Sequence, residues 1–144
     1  MNEVAVQFAD TNVLLYAVSN TPDESSKATV ARDVLDRTDI VVSTQVLQEF
    51  YVQATRPSRS HPLTHEQAAG LVEAFSRFTV QDITLPIVRS SLELKARYGF
   101  SYWDCAIVEA ARAAGCAVVL SEDMSDGQDL DGVRIVNPFA DPNS

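Results

Sequence analysis

Apolar positions along this chain fall into two alternating rhythms. At its start Val4, Val6 and Phe8 alternate, with the small Ala5 and Ala9 on the other face, and this predicts a first strand over 4–9. Asp10 to Val18 then carries Val13, Leu14 and Ala17 on one helical face, and turn formers fill residues 19–23. Ser25 to Arg37 reads as a helix with Ala28, Ala31, Val34 and Leu35 as its apolar stripe. Ile40 to Ser43 is a short apolar run of the kind found in a buried parallel strand. Ser43 or Thr44 is placed to cap a helix from Gln45 to Thr55, and the proline- and arginine-containing stretch 56–63 reads as a loop. Thr64 with Gln67 forms a capping-box pattern that opens a helix to about Arg77. A weak strand over 78–81 and a helix over 85–98, ended by Gly99, come next. Ser101 opens a last helix that Gly115 stops, and strands are predicted over 116–120 and 133–136.

Strands that alternate with helices predict a three-layer α/β/α sandwich around a mainly parallel sheet of about five strands, because a crossover helix is the usual link between parallel neighbours. The reading gives one domain over residues 1–138 and a polar, proline-containing tail over 139–144. In sheets of this class ligands bind beyond the carboxyl ends of the strands.

Composition narrows this picture without redirecting it. The chain has 144 residues, 46% hydrophobic and 22% charged, as expected of a globular protein with a substantial core. No apolar run approaches the roughly 20 residues that span a bilayer, and the N-terminus lacks a signal-peptide pattern. A cytoplasmic location with no membrane partner is therefore expected. Cys105 and Cys116 form no CxxC pair or zinc spacing and are expected to be buried free thiols. A net charge of −9 argues against broad attraction to nucleic acid, so phosphate contacts would need a local basic group. Arg56, Arg59 and His61, on the loop after the third helix, are the candidates.

Four acidic residues stand where a strand hands over to a helix or loop: Asp10, Glu49, Asp104 and Asp123. Each has a local explanation. Asp10 suits a helix cap, Asp104 lies three residues after Ser101 in a capping-box pattern, and Glu49 fits a solvated helix face. Within the loop 122–126, Glu122, Asp123 and Asp126 compete for one role; Asp123 is preferred, with Asp126 as a supporting or second-metal group. Gathered at one sheet edge, however, carboxylates repel one another unless a hard divalent cation neutralises them, and Mg²⁺ or Mn²⁺ takes such oxygen ligands. The chemistry such a site supports is phosphodiester hydrolysis, with a carboxylate outside the metal shell free to orient water or accept its proton. No glycine-rich phosphate loop, G-x-G-x-x-G or G-x-S-x-G pattern is present. Tyr16, Tyr51, Tyr102 and Trp103 lie nearest the acids and read as core or interface residues rather than as platforms for bases.

The segments Phe8–Tyr16, Ser43–Tyr51, Ser101–Cys105 and Leu120–Met124, in that order, resemble PIN-domain ribonucleases, and most of all the VapC-type toxins of bacterial toxin–antitoxin pairs. The resemblance covers nearly the whole chain. It implies a PIN-like fold and an acidic site of Asp10, Glu49, Asp104 and Asp123 that holds Mg²⁺ or Mn²⁺ and cleaves single-stranded RNA. Asn12 and Ser121 match polar positions that support such a site by hydrogen bonds. The resemblance further implies a homodimer and a small antitoxin whose C-terminal segment lies over the active site. Two alternatives are a PIN-type RNA-processing nuclease without an antitoxin, and a non-catalytic Mg²⁺-binding regulatory domain.

Overall fold

A computed structural model describes residues 6–37 and 39–140. Val4 and Ala5 of the predicted first strand, and the end of the predicted tail, lie outside these residues. The elements run β1 (Gln7–Ala9), α1 (Thr11–Ala17), a 3-10 turn (Pro22–Glu24), α2 (Ser25–Arg37), β2 (Ile40–Ser43), α3 (Thr44–Ala54), α4 (His65–Phe75), β3 (Thr79–Gln81), α5 (Leu85–Tyr98), α6 (Tyr102–Ala113), β4 (Val118–Leu120), β5 (Asp129–Leu130) and β6 (Val133–Val136).

Local chemistry sets most of these boundaries. The Ser43 hydroxyl accepts from Val46 N and starts α3 immediately after β2. Thr64 and Gln67 form a reciprocal capping box at the start of α4. Ser101 Oγ accepts from Asp104 N and opens α6. Gly99, at φ 77°, ends α5 in the left-handed region that glycine enters without a Cβ clash.

Among the described residues the sheet has six strands in the order β3-β2-β1-β4-β6-β5. The pairs β3–β2, β2–β1, β1–β4 and β4–β6 are parallel, as the strand–helix alternation predicts. Helices flank this sheet: α1 packs with α2 and α3, and α3 with α4, while α6 packs on α5 and on the central strands. Phe8, Leu14, Phe50, Leu94, Ile107 and Ile135 fill the core. Phe50 meets Phe75 edge to face at 5.1 Å, which fixes α4 on α3. Both cysteines are buried and free.

The sixth strand is an addition to the five expected. β5 pairs antiparallel with β6 across Asp131-Gly132, both at positive φ (55° and 97°). An Asp-Gly pair is a preferred two-residue hairpin turn. The hairpin is fastened to α6 by Arg112, whose guanidinium donates to Leu130 O and Asp131 O at 2.7 Å each and pairs with the buried Glu109 at 3.1 Å. Truncating Arg112 would leave the Glu109 carboxylate buried and two carbonyls without their donors. Arg112→Ala is expected to lower unfolding free energy by about 2–4 kcal/mol in urea titration. Adding Glu109→Ala is expected to recover part of that loss, and strictly additive effects would show that the two residues do not act as a pair.

Candidate active site

The order of the sheet creates the site. β2 and β4 lie on opposite sides of β1, so the chain leaves β1 at a topological switch point, where α/β sheets open a crevice beyond the strand ends. Ala9 pairs with Leu120 across β1–β4, and Asp10 N donates to Leu120 O at 3.0 Å. The next residues, Asp10 and Ser121, are thereby set side by side. Ser121 Oγ donates to Asp10 Oδ2 at 2.8 Å, and Thr11 N donates to Asp10 Oδ1 at 2.7 Å.

Asn12, on the first turn of α1, ties the two loops together. Its Nδ2 reaches Ser121 Oγ and Asp123 Oδ2 at 3.3 Å each, and its Oδ1 accepts from Glu122 N at 3.2 Å. Glu49 enters from α3. Thr11 Oγ1 donates to its Oε2 at 2.8 Å, and Gln45, one turn earlier on α3, donates to its Oε1 at 3.0 Å. Asp104 enters from the first turn of α6. All four carboxylates line one cavity of about 90 Å³.

Their electrostatics are those of a crowded anionic site. Burial pushes the Asp10 carboxyl up to about 6; the Ser121 and Thr11 hydrogen bonds oppose this, and Glu49 and Asp123 add to it. Asp104 is raised too, first by burial, then by Asp123 and Glu49, against the Ser121-like help of the Ser101 hydroxyl. The donor set is all carboxylate oxygen, the chemistry that hard divalent cations select. Among the described residues no three His, Cys, Asp or Glu side chains are clustered tightly enough to grip an ion as they stand. The acids ring the cavity, and Asp10, Glu49 and Asp123 each accept from protein donors.

The loop after β4 also separates its three acids. Asp123 lines the cavity. Glu122 faces away: Lys27 Nζ and Tyr16 Oη each donate to it at 2.6 Å. Burial opposes its ionisation, but these two donors prevail and hold it below the usual carboxylate range. Asp126 accepts from Asn137 N at 2.8 Å, tethering the segment after β6, and is not brought to the cavity. Arg56 and Arg59 bracket the site. Arg56 lines a groove on the Glu49 side, and Arg59 lines one of about 200 Å³ on the Asp123 side. His61 lies with Arg59 farther out, and His65 bonds to Tyr51 Oη at 2.8 Å.

Three participants escaped the sequence reading. They are Thr11 and Gln45, which hold Glu49, and Lys27, which with Tyr16 and Glu122 clamps the loop that carries Asp123. The Gln45–Glu49 spacing of four residues was the available signal for one of them. Trp103, expected in a core or interface, is not in the core: it stands 63% exposed at the cavity's edge.

A carboxyl raised in the folded state binds its proton more tightly there than in the unfolded chain. Stability from Asp10 therefore falls as pH rises from about 4 to about 6. Asp10→Asn removes that penalty. In EDTA at pH 7.5 the variant is expected to be about 1–3 kcal/mol more stable than the parent, an advantage that fades toward pH 4. Denaturant titrations across that range check this; a variant equally stable or weaker at pH 7.5 would refute the electrostatic account.

The PIN-domain family matches residues 8–125. No curated protein is significantly similar in sequence. Among solved structures, a toxin–antitoxin complex from Klebsiella pneumoniae superposes with TM-score 0.70 at 20% identity, covering 92% of this chain and 98% of the other. A DNA-bound VapBC from Salmonella typhimurium gives 0.66 at 22% identity, covering 91% and 96%. VapC20 of Mycobacterium tuberculosis, a sarcin-ricin loop cleaving toxin, gives 0.62 at 16% identity, covering 81% and 89%. These likenesses extend the shared fold over nearly the whole chain, and with the family match over most of its length the chain belongs to the PIN-domain family.

Proposed function

We propose that this protein is a metal-dependent endoribonuclease that cleaves single-stranded RNA as the toxin of a toxin–antitoxin pair. The observation that carries the reading is the convergence of Asp10, Glu49, Asp104 and Asp123 on one cavity at the sheet's switch point. Membership of the PIN family and the fold shared with VapC toxins support it.

Asp10, Asp104 and Asp123, with Glu49, would hold Mg²⁺ or Mn²⁺. When bound, the ion supplies positive charge that offsets the carboxylates and the substrate phosphate. The chain's own residues do the rest. Ser121 and Asn12 fix Asp10 and Asp123 relative to each other, and Thr11 and Gln45 orient both oxygens of Glu49. Mutual repulsion explains why the acids ring the cavity rather than close on it. Asp10 is only 7% exposed, so a phosphate must be presented into a recess, which a pliable single strand does more readily than a duplex. Arg56 and Arg59, on either side, supply phosphate contacts that the acidic body lacks.

An antitoxin segment that lies over this site would meet the same carboxylates and is expected to present basic side chains to them. A homodimer is part of the same reading. It is consistent with the exposed Leu85 and Leu92, which lie two turns apart on one face of α5.

Pooled cellular RNA incubated with the protein is expected to yield discrete fragments with Mg²⁺ or Mn²⁺ and none with EDTA. Asp10→Asn, although folded, is expected to lose more than about 100-fold in rate. Cleavage that persists in EDTA or in the variant would remove metal-assisted hydrolysis at this site. In a second test, the Arg56→Gln/Arg59→Gln pair should weaken binding of a labelled single-stranded oligoribonucleotide about tenfold and lower the salt slope by up to about two. Unchanged affinity at low salt would sink the phosphate-contact role.

A further inference from the structure

Beside the carboxylate cavity lies a second, more open groove of about 380 Å³. The two share Gln45, Glu49, Gln53 and Trp103, so they form one continuous depression. Gln48, Val52 and Arg56 complete the outer groove. Its volume is at the low end of the roughly 300–1,000 Å³ typical of small-ligand sites, the scale of a nucleotide rather than of a helix.

Trp103 is the side chain that stands out. It is the chain's one tryptophan and it is 63% exposed, immediately before Asp104 on α6. It is nevertheless held in place. Its carbonyl accepts from Gln45 Nε2 at 3.2 Å, and the Tyr102 ring meets it edge-on at 5.2 Å. Gln45 also donates to Glu49, so one amide ties the main chain at Trp103 to a carboxylate in the cavity, while the Tyr102 ring is the side-chain contact of the indole. An exposed aromatic face, fixed at the mouth of an anionic cavity, has the geometry of a stacking surface.

We propose that Trp103 stacks on a base of single-stranded RNA next to the phosphate presented to the carboxylates. This is a nucleobase subsite, and it rests on the nuclease reading above. The lining carries the groups that RNA needs. Apart from Trp103 only Val52 is apolar. Gln48 and Gln53 offer amides that pair with base edges, and Arg56 offers a cation for a flanking phosphate. A protein segment covering the carboxylates would occlude this groove too, so a base enters it only when that segment is absent. Stacking also accepts every base, so any base preference at this subsite would be modest.

A single tryptophan makes the test direct, because fluorescence excited at the red edge of the aromatic band, where the tyrosines do not absorb, reports on Trp103 alone. The protein carrying Asp10→Asn, in Mg²⁺, is titrated with labelled oligoribonucleotides of each single base and with an abasic chain of the same length. Binding is read by anisotropy of the label and stacking by tryptophan quenching. Wild-type protein in EDTA repeats the comparison without any substitution in the cavity. The base-containing chains should quench Trp103 and bind about tenfold more tightly than the abasic chain. Trp103→Ala should erase that difference, and Trp103→Phe should keep most of it, with circular dichroism unchanged in both. RNA that binds by anisotropy without quenching Trp103 would overturn the subsite and leave the nuclease reading intact. Absence of RNA binding in either form would overturn both. A Trp103→Ala variant that keeps its preference for base-containing chains but changes oligomeric state would assign the indole to a protein contact instead, and the subsite would fall.

Discussion

The register between β1 and β4 is the constraint on which the rest of this molecule depends. Because Ala9 faces Leu120, the residues that follow them, Asp10 and Ser121, emerge side by side and hydrogen-bond at 2.8 Å. A shift of one residue would turn Asp10 to the other face of the sheet and separate it from Asn12 and Asp123. The packing of both faces forbids such a shift: Phe8 and Ala9 are buried on opposite sides of the sheet, so slippage would push the phenyl ring into the space that fits a methyl group. Core packing, which has no chemical role of its own, thus sets the position of the most buried of the four site carboxylates to within a hydrogen bond.

That position is costly. Desolvation, opposed by the Ser121 and Thr11 hydrogen bonds and reinforced by Glu49 and Asp123, leaves the Asp10 carboxyl raised to about 6. The fold offsets this locally rather than globally. Ser121 and Thr11 donate to Asp10, while Thr11 and Gln45 donate to Glu49. The loop bearing Asp123 is anchored from outside the cavity by Lys27 and Tyr16, with Tyr16 packed edge-on against Phe139 at 4.9 Å. Lys27 thereby steadies the acidic edge without lending its charge to the cavity, since its partner is Glu122. The acids are left fixed but only partly compensated, the condition in which a cation gains most by binding.

How much of this is legible in the sequence depends on how local each signal is. Helices α2 and α5 agree with their predicted limits to the residue, because caps, stripes and a terminal glycine are short-range features. Asp10 and Asp123 could be picked out because each lies just past a strand end, where chain direction alone brings side chains together, whereas Asn12 and Ser121 were implied by the family resemblance. β5 was missed because two residues with one apolar side chain make no period; the Asp131-Gly132 turn was its readable trace. Thr11 was missed for a different reason. Its partnership with Glu49 joins residues 38 apart, and nothing in either helix's own pattern announces it. Trp103 was assigned to a buried or interface position by type, and only the tertiary arrangement sets it at the cavity's edge.

The charge of the chain makes the layout of the rim consequential. At −9 overall, the protein repels a polyanion at long range, and any steering by Arg56 and Arg59 is confined to about a Debye length, roughly 8–10 Å. Contacts to phosphate weaken as salt rises, whereas stacking on an indole does not depend on counterion release. An acidic nuclease that relied on its two arginines alone would lose its substrate at physiological salt sooner than a basic one. An aromatic surface beside the carboxylates would supply affinity that neither the protein's own charge nor the salt around it removes. On this view the exposure of Trp103 is the counterpart of the acidity of the site: the more negative the cavity, the more of the binding must come from uncharged contacts at its edge.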